Sequence, residues 1–180
     1  MVAAMPSGGW LQSSPIIPEL GFCLGARLQM FWLEPGLPNS MAPGKRPRTT
    51  LSPTLVTRDG AAILAFGSPG GDNQDQWALQ MLLGYVDFGL SLQAAIEIPT
   101  FYTDHFPSSF YPREAHPGRV HVEDRIPPAV LDALRRRGHE VILEGPWSLG
   151  WQCGVGREPD SGWLVAGASP RDSHGFASGR

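Results

Sequence analysis

The clearest periodic stretch of apolar and polar positions runs from residue 73 to 88. Trp77, Met81 and Tyr85 recur at every fourth residue, with Leu82, Leu83 and Val86 beside them. That stripe predicts a helix laid on a sheet. Asp72 or Asn73 stands where an N-cap belongs, and Gly89 where the helix stops. A short second helix is expected over 92–96, opened by Ser91 and stopped by Pro99. A third is expected over 127–137, with proline in its first turn, apolar Val130, Leu131 and Leu134, arginines at its end and Gly138 after it. Short runs rich in β-formers at 51–58, 61–66, 119–123, 140–144, 151–157 and 162–168 predict strands. Arg58-Asp59-Gly60 is a hairpin turn signal, and Pro159-Asp160-Ser161 marks a second hairpin. Residues 22–33 suggest a strand or strand pair broken by Gly25. The segments 6–21 and 34–48 are proline- and glycine-rich loops, and 100–119 is aromatic and proline-rich. Hairpins mixed with helices give an α+β fold class with largely antiparallel sheets and helices outside them.

Composition narrows the partners. The chain has 180 residues, 42% hydrophobic and 17% charged, with 22 glycines and 18 prolines. This suits one domain with a packed core and many turns. A formal charge of −3 without like-charge blocks gives no reason to expect nucleic acid or an anionic membrane surface. No apolar run approaches the ~20 residues that span a bilayer. Met1 opens no signal-peptide pattern, which on that count alone favours the cytoplasm. Cys23 and Cys153 are too few for a disulfide framework and lack metal-ligand spacing, so both are expected to be unpaired.

Chemistry concentrates between residues 43 and 74. A rigid segment, Pro43-Gly-Lys-Arg-Pro-Arg48, leads into Thr49 and Thr50. The hairpin then delivers Gly67-Ser-Pro-Gly-Gly71 at a strand-to-helix turn. A hairpin brings its open ends together, so the threonines and the glycine turn should be neighbours. Backbone N–H groups at such a turn can hold an anion or a developing oxyanion. The turn lacks the Gly-x-x-x-x-Gly-Lys-Ser/Thr and Gly-x-Gly-x-x-Gly patterns of nucleotide sites, which argues against a phosphate-binding module.

These residues resemble the small subunit of the gamma-glutamyltransferases, which are N-terminal-nucleophile hydrolases. The resemblance rests on Pro-x-Lys-Arg-Pro, a hydroxyl pair, Ser52-Pro53-Thr54 and Gly67-Ser-Pro-Gly-Gly71. It continues through Asp87-Phe88-Gly89, Ala94-Ala95, Pro99 and the Gly-x-x-Pro-Arg ending at Gly167, Pro170 and Arg171. It implies an αββα sandwich, incomplete in this chain, so residues 1–180 are expected to form a single partial domain. It implies that Gly70 and Gly71 form the oxyanion hole and that Thr49 and Thr50, in place of the usual Ser-Ser, bind the substrate's carboxylate. No metal or organic cofactor is implied. The family's nucleophile is a threonine freed by self-cleavage at the head of a Thr-Thr-His-like segment. Met1-Val-Ala-Ala4 resembles the end of the strand that follows it, so the nucleophile is expected upstream, on the N-terminal portion of the same protein.

The chain departs from the family at its amino-acid end. Aligning Phe31 with the family's phenylalanine puts Arg27 where a Gln is usual and Met30 where an Asp holds the substrate's α-ammonium; the family's Asn falls near Gly9. Arg27 joins the substrate-binding candidates. Met30 cannot accept a charge-assisted hydrogen bond, with Gln29 one residue away. The implied function is γ-glutamyl transfer or hydrolysis of the glutathione-hydrolase type, acting on a small amide. The alternatives are a cephalosporin or glutaryl acylase-like amidohydrolase and a catalytically inactive truncated chain. The resemblance puts Thr54 on the strand beside the nucleophile, with a purely structural role an equal alternative; the Asp104-His105 pair reads most simply as structural, and Trp10 is a candidate for lining the pocket.

Overall fold

The computed structural model describes residues 1–6, 14–158, 161–171 and 175–179. The expected hairpin forms strands β3 (Thr54–Arg58) and β4 (Ala61–Gly67), after a two-residue antiparallel pair, β1 (Ile16–Ile17) and β2 (Phe22–Cys23). Asp59 and Gly60 both take positive φ, 51° and 79°, the conformation a two-residue turn between twisted strands needs. β8 (Cys153–Arg157) and β9 (Leu164–Ala168) complete an antiparallel sheet in the order β3-β4-β8-β9. β5 (Phe101–Thr103), β6 (Arg119–Glu123) and β7 (Glu140–Glu144) form a second sheet, in which β6 and β7 run parallel and α3 (Pro128–Arg136) makes the crossover.

Helices α1 (Gln74–Val86) and α2 (Leu92–Glu97) cover one face of the four-stranded sheet. Leu64 and Phe66 of β4 meet Ala78 and Met81 of α1 and Leu92, Ala95 and Ile96 of α2 in the main core. A smaller core joins Val120 and Val122 to Leu131 of α3. The other face of β4 and β8 floors a cavity of ≈ 520 Å³ against which Val2–Met5 lie. These residues run alongside the sheet without joining it as a strand. The α+β class with largely antiparallel sheets is as the sequence predicts. Among the described residues no helix is long and apolar enough to cross a membrane.

Three local expectations change. Residues 27–30 form a 3₁₀ turn rather than a strand, because the carbonyls of Met30 and Phe31 are taken by side chains, not by a neighbouring strand: Asn39 Nδ2 donates to Met30 O at 2.7 Å and Arg113 Nη2 to Phe31 O at 2.9 Å. Segment 100–119 contains a strand, β5. Neither Asp72 nor Asn73 caps α1. A 3₁₀ turn, Gly71–Asn73, precedes the helix, and the Asp72 carboxylate turns to another loop.

One buried ionic cluster ties the two sheets together. Glu123, 0% exposed, accepts from Arg171 Nε (2.7 Å) and Nη2 (3.0 Å), Arg125 Nη1 (3.2 Å) and the N–H groups of Thr100 and Leu149. Arg171 also donates to the carbonyls of Ile96 and Ile98 at the end of α2. The Pro-Arg of the C-terminal motif is thus a structural clamp. Burial pushes the Glu123 carboxyl up, but the Arg171 guanidinium and the two backbone N–H groups outweigh it and hold the group below the usual carboxylate range.

Candidate active site

The two predicted neighbours do meet. Thr49, Thr50, Gly70 and Gly71 line one cavity of ≈ 970 Å³. Thr49 and Thr50 lie in extended chain ahead of β3 rather than within it. The link is the buried side chain of Gln74, at the start of α1. In the amide orientation that satisfies both its ends, Gln74 donates to Thr50 O (2.9 Å) and Ser68 O (3.0 Å) and accepts from the Gly71 N–H (3.3 Å). Sequence reading missed Gln74; its place three residues after the glycines was the available signal.

The glycine turn requires glycine for two reasons. Gly70 has φ 133° and Gly71 φ 59°, both in the region side chains disfavour. A Cβ on Gly70 would stand 2.3 Å from Cζ3 of buried Trp77, and one on Gly71 would stand 3.2 Å from Cε2 of Phe110. The Gly70 N–H meets no acceptor among the described residues.

Arg27 is not among the residues that line the cavity and touches this wall through Thr50. Its Nη1 donates to Thr50 Oγ1 at 3.2 Å. Burial lowers the guanidinium from its ordinary value, and it remains a cation at neutral pH. Met30, 0% exposed, does not line the cavity. Gly9 and Trp10 lie outside the described residues. Thr54 donates to Ser52 O at 3.0 Å, as a strand-start residue with a structural role would. Among the described residues no group of three or more His, Cys, Asp or Glu side chains is placed to hold a metal ion, and Cys23 and Cys153 are unpaired.

The far side of the cavity belongs to β5, β6 and the loop 104–118. Gln76 and Gln80, one turn apart on α1, act as a surrogate strand for β5. Gln76 donates to Thr103 O and accepts from its N–H (2.9 and 2.8 Å), and Gln80 does the same with Phe101 (2.8 and 3.2 Å). Asp72, directly after Gly71, accepts from Ser109 N (2.8 Å), Ser108 Oγ (3.2 Å) and Ser109 Oγ. In this wall His121 stacks on Tyr102 at 4.4 Å and is hydrogen-bonded through Nδ1 to Glu144 Oε1 at 2.8 Å, with Asp104 3.5 Å from Nε2. His105 accepts from the Gly118 N–H and braces the loop. Burial and the carboxylates of Glu144 and Asp104 hold the Tyr102 phenol above its usual value.

The model of the family described as gamma-glutamyltranspeptidase matches residues 1–179. The chain belongs to this family. Among curated gamma-glutamyltranspeptidase relatives, the glutathione hydrolase proenzyme of Escherichia coli (strain K12) is 30% identical over 171 residues, 89% of this chain and 27% of its own length. That of Bacillus subtilis (strain 168) is 34% identical over 125 residues, 69% of this chain and 19% of its own. The acylase ACY 1 proenzyme of Pseudomonas sp. (strain SE83) is 32% identical over 144 residues, 80% of this chain and 24% of its own. The chain therefore spans about a fifth to a quarter of the length of the curated relatives it matches.

Solved structures agree. The structure of LmbA2991HD superposes with a TM-score of 0.86 at 57% identity, covering 97% of this chain and 31% of that one. Cephalosporin acylase from Bacillus halodurans gives a TM-score of 0.70 at 31% identity, covering 84% and 26%. Gamma-glutamyltranspeptidase from Pseudomonas nitroreducens complexed with L-DON gives 0.72 at 23% identity, covering 99% and 92%, a likeness of fold. The N-terminal-nucleophile hydrolase fold expected from the sequence is the fold of this chain.

Proposed function

We propose that residues 1–180 are one partial domain, the C-terminal small-subunit portion of a gamma-glutamyltransferase-like amidohydrolase or acyltransferase, and that the N-terminal portion of the same protein supplies the nucleophile. The observation that carries this reading is the shared cavity, in which the Gly70-Gly71 turn and the Thr49-Thr50 pair are linked by Gln74, with Arg27 reaching the pair from outside the lining through its hydrogen bond to Thr50. Family membership and the proenzyme relatives support it.

In this reading a threonine hydroxyl adds to the amide carbonyl and its proton passes to the threonine's own α-amino group. The carbonyl electrons move onto oxygen, facing the Gly70 and Gly71 N–H groups. Collapse breaks the C–N bond, and the amine leaves with the stored proton. Water then releases the acid, or a second amine takes the acyl group. The Gly71 N–H exchanges its long contact with Gln74 for the oxyanion. Thr49, Thr50 and the Arg27 cation bind the carboxylate at the far end of the acyl group.

The acylase variant of this reading has a specific observation behind it. An α-ammonium needs an acceptor, and the position the family uses holds buried Met30. A charge-assisted hydrogen bond contributes about 1.5–3 kcal/mol, so its loss removes the main reason to prefer γ-glutamyl over glutaryl amides. The test is kcat/KM for a γ-glutamyl and a glutaryl anilide, with residues 1–180 alone and with the protein completed by its N-terminal portion. The chain alone should turn over neither, because Met1 offers no hydroxyl or thiol. The completed protein should hydrolyse both, with the glutaryl amide preferred or nearly equal. Turnover by the chain alone, or none by the completed protein, would overturn the reading; a strong γ-glutamyl preference would overturn the acylase variant.

A further inference from the structure

The cavity extends past the glycine turn to a wall of aromatic side chains with no part in holding the acyl group. Phe106 lies on it and is 80% exposed. Tyr102 and Phe110 line it too, Phe110 against Gly71. Full burial of a phenylalanine contributes about 1.5–3 kcal/mol, and Phe106 collects little of that, touching His105 edge-on at 5.1 Å.

The loop that presents this ring is nevertheless firmly held. Asp72 pins Ser108 and Ser109 from the side of the glycine turn. Arg113 pins it from the other side: Nη1 donates to Ser109 O at 2.7 Å, Nη2 to Phe31 O at 2.9 Å, and the guanidinium lies 4.1 Å over the Trp32 ring. His116 N donates to Asp104 O and Ser108 N to Glu114 O within the loop. An exposed aromatic ring at a fixed distance from the oxyanion donors gains its contacts from whatever fills the cavity.

We propose that Phe106, with Tyr102 and Phe110, forms the leaving-group subsite of this cavity and takes a flat aromatic ring on the amine side of the scissile amide. The proposal rests on the amidohydrolase reading above. The acyl carboxylate is claimed by Thr49, Thr50 and Arg27, so the amine side faces the remaining wall. Offset or edge-on ring pairs add to simple area burial, and a saturated ring of the same length lacks a face to offer.

The test compares N-benzyl and N-(cyclohexylmethyl) glutaramide on the completed protein, two amides of equal reach; benzylamine is the less basic leaving amine, so the ratio is read in KM rather than in the rate of the chemical step. The benzyl amide should have the lower KM by about three- to tenfold. Phe106→Ala and Phe106→Leu should bring the ratio close to one, Leu being apolar but faceless, and Phe106→Tyr should keep it. Because Phe106 is exposed within residues 1–180, none of these variants removes a core contact of this domain. Phe88→Ala, at the exposed end of α1, should leave the ratio unchanged. Equal KM for both amides in the parent, or a ratio that survives Phe106→Ala, would overturn the subsite. Turnover of neither would sink the amidohydrolase reading and the subsite with it.

Discussion

The two walls of the cavity are held by different means. The near wall is mostly backbone: a hairpin with a two-residue turn, a glycine turn whose φ values and close contacts leave room for hydrogen only, and one glutamine that bonds three main-chain groups. The far wall is hung on side chains from distant segments: Asp72 and Arg113 on the loop, Gln76 and Gln80 on β5, and Glu123 with Arg171 beneath. A backbone-built wall should fail abruptly when its few permitted residues change. A side-chain-built wall should loosen in steps, one anchor at a time.

The deepest of those anchors should give the largest effect. Arg171→Met leaves Glu123 buried with Arg125 as its remaining cationic partner, and breaking a buried pair costs about 3–5 kcal/mol. Urea denaturation of the completed protein should show that loss at pH 7. Glu123→Gln should also cost stability, since its single amide oxygen can accept from only one of Thr100 and Leu149 and its NH2 faces the other. The pH sign follows from the lowered carboxyl. Its contribution is full above the unfolded carboxylate value and disappears as pH falls through the lower folded value. The stability gap between parent and Glu123→Gln should therefore narrow on acidification. A gap that widens below the carboxylate range would show that the cluster is not the anchor described here.

Gly70→Ala breaks the near wall. The Cβ would meet Trp77 at 2.3 Å on a backbone at φ 133°. The ring is buried and cannot yield, so the turn must move and take its N–H groups with it. Removing one oxyanion donor costs about 10²–10³ in kcat, and a drop of that order is expected with KM little changed. A variant with near-parental kcat would mean that the oxyanion is held elsewhere.

How far each wall could be read in the sequence follows the same division. The hairpin, the turn at Asp59-Gly60, the glycine turn and α1 were legible because turn chemistry and periodicity are local signals. The meeting of Thr49-Thr50 with Gly70-Gly71 was legible because antiparallel pairing in a hairpin brings its open ends together. β5 was not legible. It is three residues long, and one of its edges is satisfied by Gln76 and Gln80, which read as ordinary polar positions on a helix. Nor did Asp72 declare itself. At the head of a helix an Asp reads as a cap, and its partners lie 36 and 37 residues away. Two glutamines four apart on the face of a helix that starts at an active-site turn are the signal to look for.

Asp72→Asn isolates the link between the walls. The amide keeps the shape but can accept at only one atom, so at least one bond from Ser108 or Ser109 is lost. Hydrogen bonds to a charged group are worth about 1.5–3 kcal/mol, which predicts about tenfold or faster amide hydrogen exchange within 104–118. Exchange at Gly71 should change little, because Gln74 accepts from its N–H independently of Asp72. Equal acceleration on both sides would mean that the walls form one cooperative unit and that the division drawn here is false.

The smallest effect is expected at Thr50, and it probes the near wall without disturbing its backbone. The side-chain hydroxyl accepts from Arg27 at 3.2 Å, whereas the link to Gln74 runs through the Thr50 carbonyl. Thr50→Ser keeps the acceptor and removes a methyl group, so kcat/KM for a glutaryl anilide should change by less than about threefold, near the 0.5 kcal/mol scale of a minor packing change. Thr50→Val keeps the shape and β-branching but deletes the oxygen. Arg27 then loses a buried partner and the substrate carboxylate loses a donor, at about 1–2 kcal/mol together, which is roughly a five- to thirtyfold rise in KM. Because the change touches only the acyl end, the benzyl preference assigned to Phe106 should survive it. If Thr50→Ser and Thr50→Val proved equal, the hydroxyl would have no part in binding, and the carboxylate would have to be held by Thr49 and Arg27 alone.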